Sequence, residues 1–106
     1  MRPEMIRERL ERGVVVECSV HGNSMTPIIK DGDLVLIIPP SRLKGGNGCI
    51  ERGTVVFCKV RGNYYEHLLK ATGTRGYLIG NNHGHVNGWT KQIFGIVHKI
   101  NKRRDE

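Results

Sequence analysis

No stretch of this chain is apolar for long enough to cross a bilayer as a helix. The longest strongly apolar run, Leu34–Ile38, is stopped by Pro39 and Pro40, against the roughly 20 residues a spanning helix needs. Residues 1–12 are charged throughout and lack the apolar core of a signal peptide, so a cytoplasmic protein without a membrane anchor is expected. Aromatic residues make up only 6% of the chain, and none interleaves with its basic clusters as a base-stacking platform would require. Cysteine is confined to Cys18, Cys49 and Cys58, an odd number without C-x-x-C spacing. A disulfide framework is therefore not expected, and reduced thiols are, with Cys18 and Cys58 inside apolar, strand-like runs.

What the chain has is glycine, 14 in 106 residues, and an excess of base over acid, 17 Lys and Arg against 10 Asp and Glu for a net charge of +7. Frequent glycine with few aromatics suits strands and turns, so the expected class is mainly β with one or two short helices, a small fold with a modest core. Much of the charge lies at the ends, on Arg2, Arg7, Arg9 and Arg12 in front and Lys99, Lys102, Arg103 and Arg104 behind. Nucleic acid is therefore not the expected partner; a nucleic-acid binder would lose affinity steeply with salt.

Along the chain, residues 3–12 place Met5, Ile6 and Leu10 at helical spacing, with Gly13 as a stop. Residues 1–13 thus read as a short helix or arm, 14–100 as one β domain and 101–106 as a charged tail. Strands are expected at VVVECSV, LVLII, TVVFCKV, YYEHLLKA, YLIG and IFGIVHKI. Arg61-Gly62-Asn63 supplies the hairpin turn between the third and fourth of these. Residues 41–53 and the polar NNHGHVNGW read as loops.

The chemistry concentrates in GNSMTPIIKDGDLVLI, residues 22–37. Thr26-Pro27 reads as a helix opening that would hold the Ser24 hydroxyl exposed, with backbone N–H groups free to receive an oxyanion. The motif resembles the nucleophile motif of the LexA-like and signal-peptidase-like serine peptidases, G-x-S-M-x-P-x-x-x-x-G-D-x-V. Gly22, Ser24, Met25, Pro27, Gly32, Asp33 and Val35 fall on its pattern positions. RGTVVF resembles that family's second G-D-x-V-V strand, with Thr54 in place of Asp, and GYLIGNNHGHVNGW with FGIVHKI resembles its C-terminal part. The resemblance covers residues 14–100 and implies a serine peptidase of that β-fold, with Ser24 as nucleophile and no cofactor.

Laying RGNYYEHLL on the family's G-x-Y-x-V-K-R-L strand puts His67 where most members carry the catalytic lysine. The resemblance to histidine-type signal peptidases makes Ser24 and His67 the expected dyad, with the backbone of Ser24 and Met25 as oxyanion donors. Imidazole, with a pKa of about 6.5, is nearer its task than a lysine at about 10.4, and a net positive chain favours its neutral form. Lys70 is the rival base if the strand register slips, because His67 and Lys70 cannot both face Ser24. Asn81, in the Gly80-Asn81-Asn82 turn where those peptidases have Asp, is the expected support for the imidazole, and Asp33 the acidic alternative. Val20, Met25 and Tyr65 are expected walls of a site for an extended peptide.

Only 23 residues precede Ser24, too few for the DNA-binding module of the repressors, and no Ala-Gly or Cys-Gly bond offers a self-cleavage site. The expected substrate is another peptide or protein, and a homodimer is compatible with this reading. His83 and His85, even with His21 and the cysteines, lack the spacing of a zinc site. The departures at Thr54, Asn81 and the base position motivate an alternative, a catalytically inactive module of the same fold kept for protein interaction or regulation.

Overall fold

The computed structural model describes residues 1–43 and 50–100. Cys49, part of the loop expected over residues 41–53, and the tail 101–106 lie outside the described residues. The protein is mainly β: helix α1 (Pro3–Glu11) precedes β1 (Val16–Ser19), β2 (Leu34–Ile38), β3 (Val55–Val60), β4 (Asn63–Gly73), β5 (Gly76–Gly80), β6 (Val86–Thr90) and β7 (Ile93–Lys99). The seven strands form one antiparallel sheet in the order β1-β2-β7-β3-β4-β5-β6. A 3-10 turn, Pro40–Arg42, follows β2. Among the described residues no helix is long and apolar enough to cross a membrane.

Each element follows from local chemistry. Pro3 starts α1 where a missing N–H costs nothing. The helix buries Ile6 and Leu10 while Met5 stays 43% exposed. In β3 every residue but Lys59 is buried, which explains its unbroken apolar run. Arg61 (φ 51°) and Gly62 (φ 87°) form a two-residue turn between Val60 and Asn63, the mirror-image geometry that matches strand twist.

The two faces of the sheet carry two cores. Ile6, Leu10, Val16, Val20, Met25, Ile29, Val35, Ile37, Phe57 and Phe94 form the larger. On the other face Val56, Cys58, Val60, Leu69, Ile79 and Ile93 form the smaller. Burying an aliphatic side chain of this size is worth about 1.5–3 kcal/mol, so the larger core dominates stability. Arg7 ties α1 to it, with its guanidinium 4.5 Å from the centre of the Phe94 ring and Nη1 donating to the Tyr64 hydroxyl at 3.3 Å.

One strand lies where a loop was expected: Val86–Thr90, which takes up the end of NNHGHVNGW and the residue after it, is β6. The Asn87-Gly88 step, a turn signal in sequence, is accommodated within the strand, with Gly88 at φ 136°. That positive φ is what favours glycine there, and a Cβ would also lie close to Arg61 Nε (3.3 Å) and Val60 Cγ1 (3.4 Å). The sheet curls so that β6 returns towards β3, where Thr90 Oγ1 donates to the Lys59 carbonyl at 2.6 Å and Lys59 N–H to the Gln92 carbonyl at 3.0 Å. Register shifts at Lys70 in the β4–β5 ladder and at Ile79/Gly80 in the β5–β6 ladder accompany the curl.

Candidate active site

Ser24 sits on the connection between β1 and β2. Residues 22–29 form turns rather than the expected helix opening. The chain has to reverse within this segment, since Val20 N–H donates to the Asp33 carbonyl and Gly32 N–H to the Val20 carbonyl, which leaves length for only one i→i+4 bond, from Ile29 N–H to the Met25 carbonyl. Thr26 does not cap a helix; it is joined to Pro27 by a cis peptide bond, and its hydroxyl donates to the Asn23 carbonyl at 3.0 Å. Met25 and Ile29, each 2% exposed, root the connection in the larger core.

A second clamp comes from the turn after β5. Asn82 N–H donates to the Ser24 carbonyl at 3.0 Å, and its side-chain amide donates to the Thr26 carbonyl at 2.9 Å. His83 Nε2 lies 2.9 Å from Thr26 Oγ1 and 3.2 Å from the Asn23 carbonyl. Two neutral hydrogen bonds from one residue are worth about 1–3 kcal/mol, enough to hold a nucleophile's backbone in one place.

Held this way, Ser24 Oγ lies 3.0 Å from His67 Nε2. His67 stands on β4, 8% exposed, opposite Val56 and against the Tyr65 ring at 4.8 Å. Its other ring nitrogen, Nδ1, lies 2.7 Å from Asn87 Oδ1 on β6. An amide oxygen only accepts, so Nδ1 carries the proton and Nε2 presents its lone pair to the serine hydroxyl. Burial lowers the His67 pKa below that of a free imidazole, and His85 lowers it further, while the Asn87 hydrogen bond works in the opposite direction. The ring is therefore neutral at pH 7.

The support that touches His67 is thus Asn87 rather than Asn81. Asn81 organises the turn before β6, its Oδ1 accepting from the N–H groups of His83 and His85 at 2.8 and 2.9 Å. Asp33 is also elsewhere: it accepts from Lys30 N–H at 2.7 Å and pairs with Lys99 at 3.3 Å. The Lys30 hydrogen bond, with Lys99 behind it, lowers the Asp33 pKa. Lys70, the rival base, is the extra residue of the β4 register shift, and its stem covers Gly80. Among the described residues no hydrogen bond or ion pair joins it to Ser24.

The expected oxyanion donors, the N–H groups of Ser24 and Met25, have no acceptor among the described residues. Of the expected pocket walls, Val20 and Tyr65 line a cleft of about 700 Å³ that reaches Ser24 and His67. The Met25 side chain is spent instead on the core. One wall of the cleft is residues 17–21 and the other residues 64–67, above Ile6 and Phe57. Among the described residues both walls have free backbone edges: β1 ends the sheet, and β4 pairs with β5 only from Leu68 onward.

Cys58 is buried, its thiol pushed up to about 12 by desolvation, and is chemically inert; burial also raises the pKa of Cys18, a half-buried residue of the cleft wall. Both are free thiols. Among the described residues no three His, Cys, Asp or Glu side chains converge as a metal site.

Asn87 is the residue that sequence reasoning missed. Its only signal was the strand-favouring residue types Val86, Trp89 and Thr90 around it, which the Asn-Gly step masked. The chain matches no protein-family model, no curated protein and no solved structure.

Proposed function

We propose that the protein is a serine peptidase of the LexA-like and signal-peptidase-like kind, acting on a peptide or protein substrate in the cytoplasm. The observation that carries this reading is the relay Ser24 Oγ, His67 Nε2, His67 Nδ1, Asn87 Oδ1, with contacts of 3.0 and 2.7 Å. A serine that only capped a turn would have no need of a neutral, half-enclosed imidazole in the correct tautomer.

The reaction is acyl transfer. Ser24 Oγ attacks the scissile carbonyl as His67 Nε2 takes its proton, and the N–H groups of Ser24 and Met25 receive the oxyanion. The imidazolium then returns the proton to the leaving amine, and water enters on His67 to release the acid. Asn87 Oδ1 keeps the ring in place through both steps. The free edges of β1 and β4 favour a substrate bound extended, by backbone pairing.

The decisive experiment is labelling by a fluorophosphonate over about pH 5 to 10, in the wild type and in Ser24→Ala, His67→Ala and Lys70→Ala. Labelling should need Ser24 and His67, persist in Lys70→Ala, and rise with an apparent pKa at or below that of free imidazole. Absence of labelling in a folded wild type would favour the second reading, an inactive interaction module. One observation speaks for that alternative: the group behind His67 is a neutral amide, which stabilises an imidazolium less than a carboxylate does.

A further inference from the structure

The cleft contains a carboxylate that the relay does not use. Glu66 precedes His67 on β4, so its side chain points to the opposite face, the side of its cross-strand partner Phe57 and of the larger core. It lines the cleft together with Glu17; Met1 with the chain's terminal amine and His21 line it too, and no lysine or arginine does. Among the described residues Glu66 makes no hydrogen bond and no ion pair, in a chain where Lys and Arg outnumber Asp and Glu by 17 to 10. The nearby basic side chains are committed elsewhere: Arg7 to Glu11, Tyr64 and Phe94, and Lys59 over the Tyr64 ring at 5.1 Å. Desolvation raises the Glu66 pKa, with His21 the one group that opposes it. A half-buried carboxylate in a cleft, with no hydrogen-bonded or ion-paired partner among the described residues, is costly unless something else supplies one.

We propose that Glu66 is a specificity residue that receives a lysine or arginine side chain of the peptide substrate. The inference rests on the peptidase reading above. One residue along a strand is about 3.3 Å, so a cation on Glu66 lies within about two residues of the bond presented to Ser24. The apolar floor of Ile6 and Phe57 and the Tyr64 ring suit the aliphatic stem of such a side chain, as Glu66 suits its head. The net charge of +7 does not forbid it, because exposed charges beyond about 8 Å are screened at physiological salt, while Glu66 and Glu17 lie in the cleft itself.

The test uses the Ser24→Ala protein and fluorescence anisotropy with short alanine-based peptides carrying Lys, Gln, Met or Glu at one scanned position. The Lys peptide should bind about 10- to 100-fold more tightly than its Gln counterpart, as expected for one charge-assisted contact. Glu66→Gln in the same background should erase that preference, and Glu66→Lys should turn it towards the Glu peptide. Equal binding of Lys and Gln peptides, or a preference that survives Glu66→Gln, would overturn the proposal. Fluorophosphonate labelling of the wild type, with its uncharged probe, reads the peptidase function separately. Labelling without a Lys preference leaves the peptidase and removes the cationic subsite, and a Glu66-dependent Lys preference without labelling does the reverse.

Discussion

Replacing Asn87 by Asp gives the sharpest test of how His67 is held. The change keeps the shape of the side chain and places a carboxylate where the amide oxygen now lies, 2.7 Å from Nδ1. An opposite charge at that distance favours the imidazolium and raises a pKa by about 1 to 3 units, or about 1.4 to 4 kcal/mol. In the native protein burial is the dominant influence and holds the ring below its ordinary value. In Asn87→Asp the pair attraction should oppose burial and raise the imidazole pKa relative to the native protein. The acid limb of fluorophosphonate labelling should then move upward by about 1 to 3 pH units. Above that limb labelling should be faster than in the native protein, because the imidazolium formed on proton transfer is stabilised. Asn87→Ala should instead slow labelling about 10-fold or more at every pH, since the ring loses its fixed tautomer. A histidine NMR titration of both variants locates the limb independently of reactivity. An unchanged limb and an unchanged His67 titration in Asn87→Asp would show that Asn87 does not govern the imidazole, and the relay would have to be abandoned.

Other expectations follow from the same geometry. Asn82→Ala removes the side-chain half of the clamp on the Ser24 connection and should slow labelling while leaving the His67 titration in place, which NMR and labelling together would reveal. Glu66 has a raised pKa, so its contribution to stability is present at acid pH and lost as pH rises through the folded value. Glu66→Gln should therefore raise Tm at pH 7 to 8 and give little gain near pH 4, and the reverse trend would contradict its desolvation. His67 has a lowered pKa, so its contribution holds above the pKa of a free imidazole and fades as pH falls; His67→Gln should flatten that part of the stability curve in calorimetry. Leu10→Ala, at 2% exposure beneath α1, should cost about 2–5 kcal/mol in urea unfolding. A cost below about 1 kcal/mol would mean that α1 is not part of the core.

Local signals were enough for much of this molecule. LVLII is a strand because five apolar residues are stopped by two prolines, and Arg61-Gly62 makes a turn because it supplies the positive φ values that a tight hairpin requires. Ser24 and His67 were singled out because each falls on a motif that resembles those of the LexA-like and signal-peptidase-like peptidases. Asn87 was not. It belongs to β6, two strands away from β4 in the sheet order, and in a flat sheet two strand spacings would leave it about 9 to 10 Å away. Only the curl at the far end of the sheet, with its register shifts and Gly88 packed against Val60 and Arg61, brings the two side chains to 2.7 Å.

Asn81 fails as support for a related reason. Its sequence position beside Gly80 is shared with Asn82, and the backbone of the turn decides which amide faces which partner. Composition and periodicity determined the class and all the strands but β6, and the resemblance to peptidase motifs singled out the side chains with chemistry to offer. The tertiary structure decided which of those side chains meet: contact across a curled sheet depends on twist, bulges and glycine placement summed over many residues, none of which is written at the positions that touch.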